Sequence, residues 1–353
     1  MSEHTNKAAT IKDIARVCEV SVTTVSRVLS NNGYPVSREL SEKIIKAAQQ
    51  LNYTPNLFAR GLKTNESSEI AVLIPSITNP FYTSLVSGIE NNAVKEGYNI
   101  IFYNTNNSNL SEERIIKSIL GKRIGGMIIS TGSDNISFTQ GLQDRGAPSI
   151  KIVLVDYAVP GSSYSSVYFD YRKGSMMGVE YLISKGHSKI VYAGLEPISR
   201  TRLDRINGFK DAMSRAGFAL NDKQILLYGQ SQDGNENIEF RAGNDLAQRI
   251  SKLEDRPTAV VAVNDMVAFG ILHYFNKNRI KVPEDISVLG FDDGLFCEVS
   301  CPPLTTVRVP SKQMGEMAAR LLLDDLKSGG GGSGINLTME PVLVERSTVS
   351  GIR

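Results

Sequence analysis

Residues 10–31 read Thr10-Ile11-Lys12-Asp13-Ile14-Ala15-Arg16-Val17-Cys18-Glu19-Val20-Ser21-Val22-Thr23-Thr24-Val25-Ser26-Arg27-Val28-Leu29-Ser30-Asn31, and this stretch decides how the rest of the chain is read. Thr10 stands three residues ahead of Asp13, a helix-opening pair, and Ile11, Ile14, Ala15 and Val17 follow at helical spacing. A first helix of about seven residues results. Glu19-Val20-Ser21 interrupts it. Ser21 is a good N-cap, and a second helix runs on from Val22 with Val25, Val28 and Leu29 turned inward. Two short helices about a tight turn read as a helix-turn-helix. A third helix starts after Ser37 and runs to about Leu51, with Leu40, Ile44, Ile45, Ala48 and Leu51 as its apolar stripe. Three such helices can bury one another without a fourth element.

In that arrangement the second helix lies in the DNA major groove with its N-terminal polar residues toward the base edges. Its outer face holds Val22, Thr23, Ser26 and Arg27. Arg27 has the fork geometry for guanine O6 and N7, and Val22 and the Thr23 methyl suit a thymine methyl. Ser21, Thr24 and the helix N-termini suit phosphate. On an isolated helix, Arg27 would read more readily as a solvated surface residue, and it is the surrounding motif that reverses this. Charge distribution points the same way as the motif. Residues 1–65 hold nine Lys/Arg and five Asp/Glu, whereas residues 66–353 hold 30 and 32, within a total net charge of +2. The basic end is the end suited to phosphate.

A second motif, Tyr53-Thr54-Pro55-Asn56-Leu57-Phe58-Ala59-Arg60-Gly61-Leu62-Lys63, follows the third helix. Pro55 and Asn56 can start a helix, yet isolated helices below about 12 residues are marginal in water, so this one forms only where something else holds it. The plain alternative is a Pro-initiated linker. Residues 10–31 and 53–63 together closely resemble the DNA-binding end of the lactose/galactose repressor (LacI/GalR) family. The resemblance implies a homodimer on a pseudo-palindromic, double-stranded operator, one headpiece per half-site. It also implies that residues 56–63 form a hinge helix pairing with its mate in the minor groove. There Leu62 wedges between base steps, and Asn56, Ala59, Arg60 and Lys63 line the groove.

After Ser68, apolar strands alternate with amphipathic helices. Strands are predicted near Ile70–Ile74, Tyr98–Tyr103, Met127–Ser130, Ile152–Val155 and Val167–Asp170, then near Ile190–Ala193, Ile225–Tyr228, Ala259–Val263 and Ile286–Gly290. Buried strands separated by helices imply parallel sheets with ligands at the strands' carboxyl ends. Two series imply two lobes and a cleft. The expected fold is an all-α helix-turn-helix headpiece (1–54), a hinge and linker (55–67), and a two-lobed, Rossmann-like α/β effector domain (68–353) of the periplasmic-binding-protein type. From the resemblance, the chain crosses between lobes near Phe169, Phe296 and Ser328. One lobe is then 68–168 with 297–328, and the other 169–296 with 329–353. Gly329–Gly334 reads as a flexible linker by composition.

The strand ends carry Ser76, Thr78, Asn79 and Phe81, then Asp156, Thr201 and Arg205, Asn264, and Phe291 with Asp292. The resemblance implies that each meets a small-molecule effector. Asp292, Asn264 and Arg205 would bond hydroxyls, Asn79 would face them, and Phe81 and Phe291 would supply an apolar face. This mixture suits a sugar better than a purine, which stays as the alternative. Three blander readings stand beside it: Phe81 and Phe291 as core aromatics, Asp293 as a helix cap, and Asp292 paired with Arg205 across an empty cleft.

Other classes fit poorly. No run of about 18 apolar residues marks a membrane span, and the polar first nine residues do not resemble a signal peptide, so a cytoplasmic protein, at the nucleoid when on DNA, is expected. Cys18, Cys297 and Cys301 are too few and scattered for a disulfide framework or a zinc site and read as reduced thiols. An enzyme is disfavoured, because His4, His187 and His273 are isolated and no nucleophile, metal or cofactor motif accompanies them. A secreted sugar-binding protein would not carry the DNA-binding end. Beyond Leu343–Arg346 no leucine heptads appear, which favours a dimer over a coiled-coil tetramer.

Overall fold

The computed structural model describes residues 9–29, 35–53, 67–106, 108–122, 124–130, 150–158, 163–196, 199–229, 237–329 and 334–352. The chain divides into two compact units, 1–66 and 67–353.

The first unit holds α1 (Ile11–Cys18), α2 (Val22–Leu29) and α3 (Arg38–Gln50). Local chemistry sets each start. The Thr10 amide and hydroxyl both donate to Asp13, the Ser21 hydroxyl accepts from the Thr24 amide at 3.0 Å, and that of Ser37 accepts from the Leu40 amide at 3.4 Å. Glu19, in the left-handed region at φ 58°, ends α1. Ile14, Ala15, Cys18, Val25, Ile44, Ala47 and Ala48 form the buried core. Val17 and Ile45, read above as apolar-face residues, are instead exposed, because each sits one position off the stripe that meets the other two helices.

The second unit contains two six-stranded sheets. In chain order, its elements are β1 (Glu69–Ile74), α4 (Pro80–Ala93), β2 (Asn99–Asn104), α5 (Asn109–Leu120), β3 (Gly126–Ser130), β4 (Lys151–Val155) and β5 (Ser165–Phe169). There follow α6 (Tyr171–Ser184), β6 (Ile190–Leu195), α7 (Arg200–Arg215), β7 (Ile225–Tyr228), α8 (Ile238–Ser251), β8 (Ala259–Ala262), α9 (Asp265–Lys277) and β9 (Ser287–Asp292). Last come α10 (Phe296–Val299), β10 (Thr305–Arg308), α11 (Ser311–Ser328), β11 (Asn336–Met339) and β12 (Val342–Val344). The first sheet runs β11-β5-β4-β3-β1-β2, all parallel, and the second runs β12-β10-β9-β8-β6-β7, parallel except for β12. Both are the two-lobed α/β arrangement expected from the alternating pattern.

The lobe boundaries differ from expectation at two of three crossings. The first lies after Phe169, as expected. The second lies past Arg308 rather than at Phe296, because Thr305–Arg308 pairs in parallel with Leu289–Asp292 of the second sheet. The third follows Met339 rather than Ser328, because Asn336–Met339 pairs with Ser166–Phe169 of the first sheet. Residues 297–308 therefore belong with the second lobe, and 334–339 with the first. Gly329 ends α11 at φ 62°, and residues 330–333 of the glycine-rich segment lie outside the described residues.

One close approach bears on the cleft. Gly243 of α8 and Gly270 of α9 face each other where the helices cross, and a Cβ on either would overlap the other helix's backbone. This contact sets the two helix N-termini side by side, which matters for Glu239 and Asn264 below.

Candidate functional site

In the first unit, α2 presents Ser21, Val22, Thr23 and Arg27 to solvent, with Thr24 and Ser26 half-buried and Val25 turned into the core. Of the four residues assigned to the outer face from sequence, Val22, Thr23 and Arg27 are exposed and Ser26 is half-buried. Asn56, Ala59, Arg60, Leu62 and Lys63 lie outside the described residues.

In the second unit, polar side chains from both lobes converge at the carboxyl ends of the strands. Asn79 is the N-cap of α4: its Oδ1 accepts from the Phe81 amide at 2.9 Å, which leaves Nδ2 free to donate to Glu239 Oε2 at 2.9 Å. Asn264 does the same for α9. Its Oδ1 accepts from the Val267 amide at 3.0 Å, and its Nδ2 donates to Glu239 Oε1 at 2.8 Å. Glu239 itself lies in the first turn of α8. Two capping amides, fixed in orientation by their helices, thus clamp one carboxylate across the lobes, and helix N-termini favour negative charge there.

A second chain of contacts runs beside it. Asp156, at the end of β4, accepts from the Ser130 hydroxyl at 2.8 Å and from the Tyr171 phenol at 2.6 Å, the latter from the other lobe. The Arg205 guanidinium lies 4.3 Å from the Tyr171 ring centre and 4.5 Å from that of Phe291, and it donates to Asp292 Oδ1 at 3.2 Å. Arg205 and Asp292 both belong to the second lobe, so they pair within it and not across the cleft as the sequence reading allowed. Asp156 and Asp292 hold φ at 73° and 118°, in the left-handed region that side chains with a Cβ rarely adopt. Such strain costs on the order of 1–3 kcal/mol per residue and persists where surroundings over-determine it.

Electrostatics follow from burial. Desolvation raises the Asp156 carboxyl, against the Tyr171 and Ser130 hydrogen bonds and Arg205. Burial also drives Asp292 well up, opposed by Arg205 but reinforced by Asp265, Glu239 and Asp156. Burial, together with the Asp156 and Glu239 charges, raises the Tyr82 phenol. Asp265 is pushed up to about 6 by burial, against hydrogen bonds from Cys297, the Gly294 amide and Thr306. A buried acid raised in this way opposes folding above about pH 6, and the opposition fades as pH falls toward the unfolded value near 3.9. His187 works in the other direction, since burial lowers it and protonation favours the unfolded chain. In a His187→Gln variant, unfolding free energy should therefore rise between pH 7.5 and 5.5, by on the order of 1 kcal/mol from Asp265. Denaturant titrations at those two pH values check this, and a flat or falling profile contradicts the raised carboxyl.

A family model described as bacterial regulatory proteins, lacI family, matches residues 10–56, and one for a periplasmic binding protein-like domain matches residues 179–349. The HTH-type transcriptional repressor PurR of Vibrio atlanticus (strain LGP32) is 33% identical over 341 residues, 97% of this chain and 98% of that protein. The chain belongs to the LacI family. It is therefore a DNA-binding transcriptional repressor with an effector-binding domain. Among other LacI-family relatives, the NTD biosynthesis operon regulator NtdR of Bacillus subtilis (strain 168) is 32% identical over 320 residues, 90% of this chain and 92% of that one. The crystal structure of the Lac repressor bound to ONPG in its repressed state superposes with a TM-score of 0.82 at 25% identity, over 97% of this chain and 100% of that one.

Within this LacI-family frame, the structure brings together Asn79, Asp156, Arg205, Asn264, Phe291 and Asp292. Phe81 and Phe291 are both buried in one core cluster that draws on both lobes, and Phe291 additionally backs Arg205, whereas Phe81 packs edge-on against Tyr82 at 5.0 Å. Ser76 and Thr78 bond each other in the turn after β1, and Thr201 bonds Ser199 in the first turn of α7. Asp293 is not a helix cap: it is ion-paired with Arg308 and Arg346, each at 2.7 Å, and the N-cap position of the following helix is Leu295. Glu239, Tyr171 and Ser130 are not among the residues marked by the sequence. Only an acid in the first turn of a helix hinted at Glu239, and nothing local marked the others.

Proposed function

We propose that this repressor acts as a homodimer on a pseudo-palindromic operator, and that a sugar or sugar derivative in the cleft controls its affinity. The observation that carries the effector reading is the Arg205 contact with Tyr171 and Phe291. The two ring faces that would stack on a purine already carry a guanidinium, while capping amides and carboxylates at the same place match hydroxyl groups. A solved LacI-family regulator from Enterococcus faecium with bound ribose, 25% identical with a TM-score of 0.69 over 81% of this chain, supports the same class. A purine is the second reading, favoured by the similarity to the PurR repressors. A melting-temperature screen of the full-length protein against pentoses, hexoses, sugar phosphates and purines separates the two. Stabilisation by purines without any sugar would overturn the first.

In this reading α2 enters the major groove and residues 56–63 pair with their mate in the minor groove. Effector occupancy changes the distance between the two Asn56 ends, so the short hinge helices either meet or come apart. Effector and operator must then shift each other's affinity by the same factor, usually equivalent to about 1–3 kcal/mol. Arg27→Ala should cost about 1–3 kcal/mol at one base-pair position and relax preference there. Binding to a panel of single-substitution duplexes reads this out, and equal losses on every sequence would make Arg27 a phosphate contact.

A further inference from the structure

The cleft holds more negative charge than its own cations balance. Asp156, Asp292 and Glu239 enter it from both lobes; against these three stand Arg205, the one buried lysine or arginine among the described residues, and the half-buried Arg202, which donates to the Glu196 carbonyl. The Arg205 guanidinium is committed to Asp292. Asp156 is more than nine-tenths buried, yet both of its partners are neutral hydroxyls. Glu239 is held by two neutral amides. A carboxylate has about four acceptor sites, so Asp156 and Glu239 each keep capacity for a further donor. A buried charge without a counter-ion is costly, and a cation placed beside it removes much of that cost.

Two donors in the same cluster await acceptors. Arg205 Nε and the Tyr192 hydroxyl are buried without hydrogen-bond partners. A ligand satisfying the whole set presents oxygen atoms to Arg205 and Tyr192 and a charged donor to Asp156 and Glu239. The half-buried Tyr82 ring lies among these groups, since Asp156, Glu239, Arg202 and Arg205 all act on its phenol.

We infer that the effector is a hydroxylated ring carrying a protonated amino group, with the ammonium held by Asp156 and Glu239. This deepens the sugar reading above and rests on it. It also excludes sugar phosphates and uronic acids, whose charge would face the same carboxylates. Burial raises Asp156 and Asp292, and an ammonium alongside would pull both back toward ionisation.

The test uses full-length protein and compounds matched in every group but one: glucose, glucosamine, N-acetylglucosamine and glucuronate, with the corresponding galactose series and adenine, guanine and hypoxanthine. Thermal shifts at millimolar ligand and calorimetric titration at neutral pH are the readouts. The amine is expected to bind about tenfold or more tightly than its neutral and acetylated counterparts. Glu239→Gln and Asp156→Asn should each remove most of that advantage, and circular dichroism melts show which variants are folded. If a neutral or anionic sugar binds as tightly as its amine, the amine assignment fails while the sugar reading stands. If only purines bind, both fail. If no amine produces a shift, the amine assignment is overturned.

Discussion

Replacing Arg205 with alanine should lower the unfolding free energy of the effector unit by about 3–5 kcal/mol, because removing one member of a buried ion pair leaves the other charge uncompensated. Asp292 is then left in a site where burial and the neighbouring Asp265, Glu239 and Asp156 all act to raise its carboxyl. The contacts with Tyr171 and Phe291 disappear as well. Lysine should not rescue the variant, since an ammonium lacks the planar fork that lies over both rings while reaching Asp292. The paired variant Arg205→Met/Asp292→Asn, which removes both charges and keeps at 292 a residue that tolerates positive φ, should recover much of the stability and none of the effector binding. Urea titrations of the single and paired variants decide the matter. A loss below about 1 kcal/mol in Arg205→Ala, the range of an exposed pair, would show that the pair is solvated.

The second large effect concerns the headpiece. Ile44 is fully buried, in a core of seven buried residues from three short helices. Truncating a buried isoleucine to alanine costs about 2–5 kcal/mol, and a unit below about 70 residues rarely holds more than 3–5 kcal/mol in total. Ile44→Ala should therefore unfold α1 to α3 and abolish operator binding. The effector unit, whose cores contain no residue of the headpiece, should melt as before. Calorimetry and amide spectra of the full-length variant check both halves. Retained DNA affinity would mean that the headpiece is more stable than its core suggests.

How much of this was legible in the sequence differed by length scale. The headpiece was legible because its determinants are local: Thr10 with Asp13, Ser21 with Thr24 and Ser37 with Leu40 are each three residues apart. The strand ends were legible because a polar residue closing an apolar run, as at Asp156, Asn264 and Asp292, needs no knowledge of its partner. The lobe crossings at Arg308 and Met339 were not. Thr305–Arg308 and Asn336–Met339 are four-residue strands whose composition fits either sheet, and only pairing with Leu289–Asp292 and Ser166–Phe169 assigns them. The Glu239 clamp was hidden for the same reason, since 160 residues separate it from Asn79. From sequence Asn79 and Asn264 read as ligand contacts alone; in the structure each caps a helix, and capping is what aims its amide donor at Glu239.

The central claim is that this chain recognises a particular duplex sequence through its N-terminal unit. Selection from a randomised double-stranded pool by the full-length protein, repeated with Ile44→Ala, tests it most directly. Enrichment of a two-fold-symmetric site is expected, bound at least about 10³-fold more tightly than unrelated duplex and lost in the variant. Recovery of no preferred sequence by the intact protein, or the same site recovered by the variant, would contradict it.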